Sequence, residues 1–467
     1  MNHGLKGQPA LLAGAAIFSI VGGLLLLFWP TMVIWLVSAA TALALIVVQY
    51  RKSGGDPLAP AVAFPSAYLG FFLVGSLNLY DGPTKHLLLQ SIPPTIWFYA
   101  GIGLVAFLAG NRFGAVFASK TSPVSSVFSL TSGPAMKVGV LVCLFVGSTA
   151  LVLVHLTYGL PIFNMAVRTE VSGYLSYLSY LVWAGLLLLV GHLRRLPELT
   201  SSMKYRFVFL SAISVAAGST VLLAYRTPVV MVVLSFAFLY HMRVRKLTLR
   251  AIALCVTAIL VLSTLFAVLR TTIIEGQTYI DLFYSMRTGK GISAYALPLQ
   301  VLYWNICRES VANFNALLQI VPSDYPYLHG DALGGSLLSI LPGKQITARE
   351  YVGILIYGQA HSTLTPTILG PFYLDFGIGG IVVGMMFVGG LLGWLYVRRE
   401  RSQLAGVLYV YWLALALVSI HAGLADPGYY LFLPCLLVLV TYVATLPSLV
   451  VRNDIERGVP SGEAVSP

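Results

Sequence analysis

The sequence predicts an all-α integral membrane protein, a polytopic bundle of about twelve transmembrane helices that forms a single membrane domain over residues 1–467. Hydrophobic residues make up 58% of the chain and charged residues only 9%, whereas soluble domains have about 25% charged residues. Apolar stretches of the roughly 20 residues that one span requires recur along most of the sequence. These two observations exclude a soluble enzyme, a disordered chain and a secreted disulfide scaffold.

The limits of the predicted spans follow from hydropathy and from helix-breaking residues. Pro30, the Asp-Gly-Pro sequence at 81–83 and the Pro93–Pro94 pair mark positions at which the chain must turn. A polar tail at 451–467 follows the final span. The predicted spans are residues 9–28, 31–49, 59–80, 94–110, 136–157, 174–191, 207–224, 228–242, 250–268, 369–396, 405–424 and 429–450.

The distribution of Lys and Arg predicts the orientation of these spans. With the N-terminus inside the cell, the predicted cytoplasmic segments hold nineteen of the 28 basic residues. Cytoplasmic loops of membrane proteins are enriched in Lys and Arg, so we expect both termini in the cytoplasm. The same rule accounts for most of the net charge of +12. The lipid bilayer is therefore the expected partner, and nucleic acid is not.

A stretch of about 100 residues, 269–368, separates two predicted spans and lies outside the cytoplasm in this topology. Loops of this length inside a bundle are seldom without secondary structure, and residues 292–320 have apolar positions at helical spacing. We expect a partly helical periplasmic loop that covers the outer mouth of the bundle. Cys307 is the only cysteine outside the predicted spans, so a disulfide within this loop is excluded.

Several sequence signatures of catalysis and transport are absent. The chain has no Walker A sequence, no HExxH or CxxC pair and no GxSxG motif, which are typical of nucleotide hydrolysis, zinc sites and nucleophile-elbow hydrolases. Carboxylates at mid-membrane, which ion-coupled transporters use, are nearly missing as well. We therefore predict no metal site and no cofactor.

Arginines on the predicted periplasmic side are the most informative charged residues. Arg168 lies in a short loop, Arg226 and Arg270 lie at the ends of apolar spans, and Arg308 and Arg349 belong to the long loop. A guanidinium group binds phosphate oxygens in pairs, so these five arginines are candidates for binding a lipid diphosphate. Interfacial arginines that extend toward the headgroups are the alternative interpretation.

Histidines and a carboxylate in the long loop are candidates for proton transfer. His329 and His361 are the candidate general bases, and Glu309, beside Arg308, is the next candidate. A structural hydrogen bond, or for Glu309 a local ion pair with Arg308, is the alternative in each case. Aromatic rings in the same loop could stack on sugar rings; these are Tyr303, Tyr325 and Tyr327.

Four segments of this sequence resemble the Wzy-type polymerases of O-antigen and oligosaccharide repeat units. "DPLAPAVAFPSAY" (56–68) resembles the Asp-Pro start of an early span, and "GLPIFNMAVRTEVSG" (159–173) resembles the first outer loop that carries an arginine. "YRTPVVMVVL" (225–234) is the third segment. The fourth segment consists of residues 329–344 and 363–380, which contain "HGDALGG" and "LDFGIGG". It resembles the end of the family's long outer loop and the return of that loop into the membrane.

The resemblance implies a membrane bundle of the GT-C type and a metal-independent, inverting glycosyltransferase. In such an enzyme a glycan chain leaves undecaprenyl diphosphate and joins the sugar of a new lipid-linked repeat unit at the periplasmic face of the bacterial inner membrane. The product would be O-antigen or exopolysaccharide. The resemblance also implies a chain-length regulator and a flippase as partners.

Three other functions fit parts of this pattern. An O-antigen ligase has the same architecture and transfers the same chain to the lipid A core, although the late "LDFGIGG" segment favours a polymerase. A flippase or exporter of lipid-linked oligosaccharides would require charge along a whole translocation path, whereas here the charge lies on one face. A membrane assembly partner without catalytic activity is the third alternative.

Overall fold

The structure is a computed structural model, and in the residues that it describes the chain is helical, with no strand. Because the helices are apolar, the chain is a helical membrane protein. The described residues are 31–77, 92–120, 134–159, 173–192, 226–243, 245–248, 250–261, 265, 303, 307–338, 346–358, 364–424 and 428–443.

Helices occupy most of the predicted spans that fall within the described residues; the spans predicted at 9–28 and 207–224 lie outside them. Residues predicted as one span at 174–191 form two helices that meet at Tyr180. The helices are α1 (Thr31–Lys52), α2 (Pro60–Gly75), α3 (Thr95–Lys120), α4 (Pro134–Tyr158), α5 (Gly173–Ser179), α6 (Leu181–His192), α7 (Arg226–Arg243), α8 (Arg250–Val261), α9 (Glu309–Ile320), α10 (Asp331–Leu338), α11 (Ala348–Tyr357), α12 (Leu369–Arg398), α13 (Gln403–Ala422) and α14 (Gly428–Val443).

Among the described residues, four helices are long and apolar enough to cross a membrane by their length and composition. These are Thr95–Lys120, Met136–Tyr158, Leu369–Arg398 and Gln403–Ala422. Shorter apolar helices accompany them, including α2, α8 and α14. The periodic apolar segments of the sequence therefore form membrane helices of unequal length.

Helices α3 and α12 pack with their backbones in close contact. Gly110 and Gly114 face α12, and Gly389 and Gly393 face α3, so that a Cβ at any of these positions would overlap a carbonyl group of the partner helix. Small residues spaced four apart allow this approach, which in a membrane is favoured by van der Waals packing rather than by expulsion of water. The pair forms the rigid centre of the described bundle.

Helix α12 is interrupted near its N-terminal end. Phe376 and Gly377 have non-helical dihedral angles, with φ +61° and ψ −141° at Gly377. The carbonyls of Leu374 and Asp375 accept hydrogen bonds from the backbone N–H groups of Leu328 and His329, at 2.9 and 3.1 Å. Broken helices are tolerated in membranes where protein groups satisfy the freed backbone, and here the long loop does so.

The other end of α12 is held by a partly buried carboxylate. Asp56, between α1 and α2, accepts hydrogen bonds from the Tyr396 hydroxyl at 2.8 Å and the Leu58 N–H at 3.0 Å. His241 Nε2 lies 3.4 Å from one Asp56 oxygen, and Arg399 lies 3.5 Å from the other. This group of contacts, the Asp56 cluster, joins α7 and α12 to the loop between α1 and α2.

The described part of the long stretch between α8 and α12 contains three helices, α9, α10 and α11. Helix α9 does not lie on the protein surface, because Val311, Phe314 and Leu317 are fully buried. Phe314 packs edge-on against the rings of Tyr99 and Tyr373. Part of the predicted loop therefore contributes to the core of the protein.

Candidate functional site

A set of polar residues meets where α9, α11, the segment before α12 and the end of α13 come together. Backbone and side-chain contacts join these segments: the Leu364 N–H donates to the Arg349 carbonyl at 3.2 Å, and the Ile368 N–H donates to the Ile420 carbonyl at 3.3 Å. Arg349 Nε donates to the carbonyl of Ala422 at 3.3 Å. We call this set the polar cluster; its members are Arg308, Glu309, Ser310, Asn313, Arg349, Thr365 and His421.

A line of short hydrogen bonds crosses the polar cluster. Ser310 Oγ lies 2.8 Å from Thr365 Oγ1 and 2.7 Å from His421 Nδ1. Asn313 Nδ2 donates to the Thr365 carbonyl at 3.0 Å. Ser310 and Asn313 lie three residues apart, on one face of α9, and both are fully buried. The hydroxyl groups and the imidazole are therefore held in a fixed order by residues distant in sequence.

Arg308 lies at the N-cap of α9 and is fully buried. One of its guanidinium nitrogens donates to the carbonyl of Gly75, at the end of α2, at 3.3 Å. The two helices are in close contact there, because a Cβ on Gly75 would lie 2.7 Å from the Val311 side chain. In this conformation Arg308 joins α9 to α2 from inside the protein.

Glu309 occupies the first turn of α9, where a negative charge is favoured by the helix dipole. Burial and then the nearby charge of Glu309 raise the pKa of Tyr357, the last residue of α11. The carboxylate of Glu309 thus lies close enough to α11 to influence it electrostatically. This is the part of the cluster with acidic character.

Among the other residues predicted from sequence, some lie elsewhere and some lie outside the described residues. His329 is exposed, has φ +50° and donates its backbone N–H to Asp375, beside the break in α12. Arg226 begins α7, and its side chain is not described. The residues outside the described part of the chain are Arg168, Arg270 and His361.

The three tyrosines predicted to contact sugar lie at different places. Tyr303 donates its hydroxyl to the carbonyl of Leu77, and Tyr325 is 51% exposed. The Tyr327 ring packs edge-on against Tyr373, and its hydroxyl lies against Gly377. The structure therefore brings Tyr327 to the break in α12, leaves Tyr325 exposed in the turn after α9, and leaves Tyr303 hydrogen-bonded to the segment after α2.

Sequence reasoning missed Ser310, Asn313, Thr365 and His421 as members of a site. The available signal was the helical spacing of the polar residues at positions 310 and 313, together with a histidine at the end of an apolar span. Neither signal identifies its partners, because 111 residues separate Ser310 from His421.

Asp375 is the carboxylate nearest to the break in α12, and its contacts are structural. Its two oxygens accept the backbone N–H groups of Ala332 at 2.8 Å and Leu333 at 3.0 Å, at the start of α10. Within the described ranges, no group of three or more His, Cys, Asp or Glu residues could hold a metal ion. The chemical groups that the described site offers are guanidinium, carboxylate, carboxamide, hydroxyl and imidazole.

Comparison with known proteins identifies a family. A family model with the description "Putative O-antigen polymerase" matches residues 61–433, which include every residue of the polar cluster and of α12. No curated protein and no solved structure matches this chain.

Proposed function

The chain belongs to the O-antigen polymerase family, and on this premise we propose that it is a membrane glycosyltransferase that polymerises undecaprenyl-diphosphate-linked repeat units. The family implies polymerisation of O-antigen repeat units from lipid-linked substrates. The observation that supports the proposal most strongly is the polar cluster, where the segments that carry Arg308, Glu309, Arg349 and His421 meet at one end of an apolar bundle. The proposed architecture is a bundle of the GT-C type with about twelve spans.

The proposed reaction transfers the growing glycan to a hydroxyl of the incoming unit. That hydroxyl attacks the anomeric carbon of the chain, and the bond from this carbon to the lipid diphosphate breaks. The diphosphate leaves with the bonding electrons, so positive groups near it lower the barrier. Arginine suits this role because its planar guanidinium binds two phosphate oxygens at once.

The proposed diphosphate site contains five arginines. Arg308 and Arg349 support it most directly, because both belong to the polar cluster. Arg168, Arg226 and Arg270 complete the proposed set, since they lie at the same predicted face of the membrane. The tyrosines Tyr325 and Tyr327 are proposed to border the path of the sugar chain.

The polar cluster is proposed to face the periplasm. The basic ends of α7 and α12, at Arg243, Arg398 and Arg399, lie at the opposite end of the bundle with the Asp56 cluster. Positive residues of short loops remain predominantly in the cytoplasm. A chain-length regulator and a flippase in the same membrane are the proposed partners.

The test is gel analysis of surface glycan in a strain from which this chain is deleted. Loss of a polymerase leaves a single repeat unit on the lipid A core and abolishes the ladder of longer chains. Restoration of the ladder by the full chain, but not by a variant with Arg308 and Arg349 both changed to Ala, is the expected result.

Two other outcomes of the same experiment would overturn the proposal. A ligase would leave long polymer on undecaprenyl diphosphate and none on lipid A, and a flippase would leave neither polymer nor single units at the surface. An intact ladder after deletion would contradict the proposed function as well. As a matched control, Arg245→Ala changes an exposed arginine outside the polar cluster and should restore the ladder fully.

A further inference from the structure

We propose that Thr365, Ser310 and His421 form a proton-transfer chain that carries the proton of the acceptor hydroxyl to the imidazole of His421. This inference rests on the proposed function and identifies the group that accepts the proton. The observation that carries it is the continuous set of contacts from Thr365 Oγ1 to Ser310 Oγ at 2.8 Å and on to His421 Nδ1 at 2.7 Å.

The proposed direction of proton transfer follows from the exposure of Thr365 and Ser310. Thr365 is partly exposed, whereas Ser310 is fully buried, and the threonine hydroxyl is therefore the proposed end that receives the substrate proton. In the proposed resting state Thr365 donates to Ser310, Ser310 donates to His421 Nδ1, and the imidazole proton is on Nε2. His421 Nδ1 is then the acceptor at the end of the chain.

The proton and electron balance is simple. As the acceptor oxygen bonds to the anomeric carbon, its proton moves to Thr365 Oγ1, the threonine proton moves to Ser310 Oγ, and the serine proton moves to His421 Nδ1. The lipid diphosphate leaves with the electron pair of the broken bond. The imidazolium then returns its proton to water, and the hydroxyl groups rotate back.

Neighbouring residues hold this chain in place. Asn313 fixes the backbone of Thr365 through its carbonyl, and the ring of Phe71 packs edge-on against the imidazole of His421, with centroids 6.2 Å apart. The hydrogen bond between Ile368 and Ile420 joins the two segments that carry Thr365 and His421. A fixed geometry of this kind is what efficient proton transfer requires.

Charged residues lie on the elements around these three residues. On the described elements packed around the chain of hydroxyls, the charged groups are Arg308, Glu309, Arg349 and Glu350. Glu350 is engaged in the capping box of α11 with Thr347.

The experiment measures turnover of the purified full chain in lipid nanodiscs. The substrate probe is the lipid-linked repeat unit extracted from the deletion strain, and turnover is followed from about pH 5 to 9. The variants are Thr365→Val, Ser310→Ala and His421→Gln, with Thr365→Ser as the conservative variant that keeps the hydroxyl. Ser323→Ala, at an exposed serine in the turn after α9, is the matched control.

General base catalysis contributes about 10²–10⁴ in rate, so we expect each of the three variants to lower kcat by that factor with KM unchanged. Thr365→Ser should retain most of the turnover. Because the three groups act as a unit, the double variant of Thr365→Val and His421→Gln should be no slower than the slower single variant. The acid limb of the wild-type kcat profile should be absent in His421→Gln.

The inference is overturned if His421→Gln keeps the wild-type kcat and acid limb, if the losses of the single variants multiply, or if only KM changes. If Ser310→Ala fails to fold, the comparison of Thr365→Val with Thr365→Ser tests the inference instead. Equal kcat in these two variants would exclude the proton-transfer chain. If the wild-type protein forms no polymer from the probe, the proposed function fails, whereas polymer formation with unaffected variants rejects only the proton-transfer chain.

Discussion

At the scale of single residues, Arg308 and Arg349 differ in what their surroundings permit. Arg308 is fully buried and binds a carbonyl of α2, whereas Arg349 is partly exposed and binds the last carbonyl of α13. A guanidinium has five N–H donors, so one group can bind a backbone carbonyl and a phosphate oxygen together. Arg349 is therefore the better position at which to test diphosphate binding.

We expect Arg349→Lys to lower kcat for the lipid-linked substrate about 10²-fold, as loss of a preorganised donor does in other enzymes. Lysine keeps the charge but is a point charge without the planar fork, so it should rescue little more than Arg349→Ala. Steady-state assays in nanodiscs measure this, with Arg245→Lys as the control. Wild-type turnover in Arg349→Lys would show that the planar fork is not required.

Asp56 is the second residue whose role can be tested alone. Burial by itself would raise the pKa of Asp56, but hydrogen bonds from His241, Tyr396 and Leu58, and the charge of Arg399, together lower it below the ordinary value of 3.8. His241 Nδ1 accepts the N–H of Leu247 at 2.9 Å, so a neutral His241 carries its proton on Nε2 and donates it to Asp56.

We expect Asp56→Asn to destabilise the protein by about 1–3 kcal/mol, because buried donors lose a charged acceptor. A carboxyl with a lowered pKa contributes stability above its unfolded pKa and loses it as the pH falls through its folded pKa. The difference in melting temperature between wild type and variant should therefore narrow below about pH 4. The control is Asp324→Asn, at an exposed aspartate. If this variant loses as much stability as Asp56→Asn, the Asp56 cluster does not stabilise the protein as proposed.

At the scale of elements, the break in α12 connects the membrane bundle to the long loop. Gly377 adopts φ +61° and ψ −141°, which is accessible almost only to glycine. Tyr327 closes the space beside it, since a Cβ on Gly377 would lie 2.8 Å from the tyrosine hydroxyl. The break and the position of the loop are therefore determined together.

We expect Gly377→Ala to cost about 1–3 kcal/mol of stability from backbone strain, with further loss from the contact with Tyr327. Turnover should fall even at temperatures where the variant remains folded, because the loop that pairs with residues 374 and 375 leads through α11 to the polar cluster. Gly379→Ala is the matched control, since that glycine has open space around its Cβ position. Thermal unfolding and turnover are measured on both variants. If Gly377→Ala and Gly379→Ala have the same melting temperature and the same turnover, the role of the break in α12 is contradicted.

At the scale of the whole molecule, the two polar groups lie at opposite ends of the bundle. The Asp56 cluster joins the ends of α7 and α12, which carry Arg243, Arg398 and Arg399. The polar cluster lies beside the beginning of α12 and the end of α13. The proposed orientation requires this separation, because it assigns the basic helix ends to the cytoplasm and the proposed site to the periplasmic face.

We expect a phosphatase reporter fused after residue 330 to be active, because it would lie in the periplasm, and one fused after residue 247 to be inactive. A fluorescent reporter that folds only in the cytoplasm should give the inverse pattern. The physical reason is retention of Lys- and Arg-rich loops in the cytoplasm. Phosphatase activity at 247 without activity at 330 would reverse the orientation and contradict the proposed periplasmic site.

The sequence by itself determined that this chain is a helical membrane protein, where many of its helices begin and end, and which family it resembles. Hydropathy, helix breakers and short motifs are local properties, so they can be read without knowledge of the fold. The family match over residues 61–433 confirmed the resemblance, and helices occupy the predicted spans such as 94–110 and 369–396.

Only the tertiary structure decided which polar residues meet. Ser310 is separated from Thr365 by 55 residues and from His421 by 111, and their contact depends on how α9 packs against α2 and the end of α13. The sequence predicted α9 as part of an outer loop, because its helical pattern does not reveal that Val311 and Phe314 are fully buried. Burial and long-range contacts arise from packing between elements, and no local pattern specifies them.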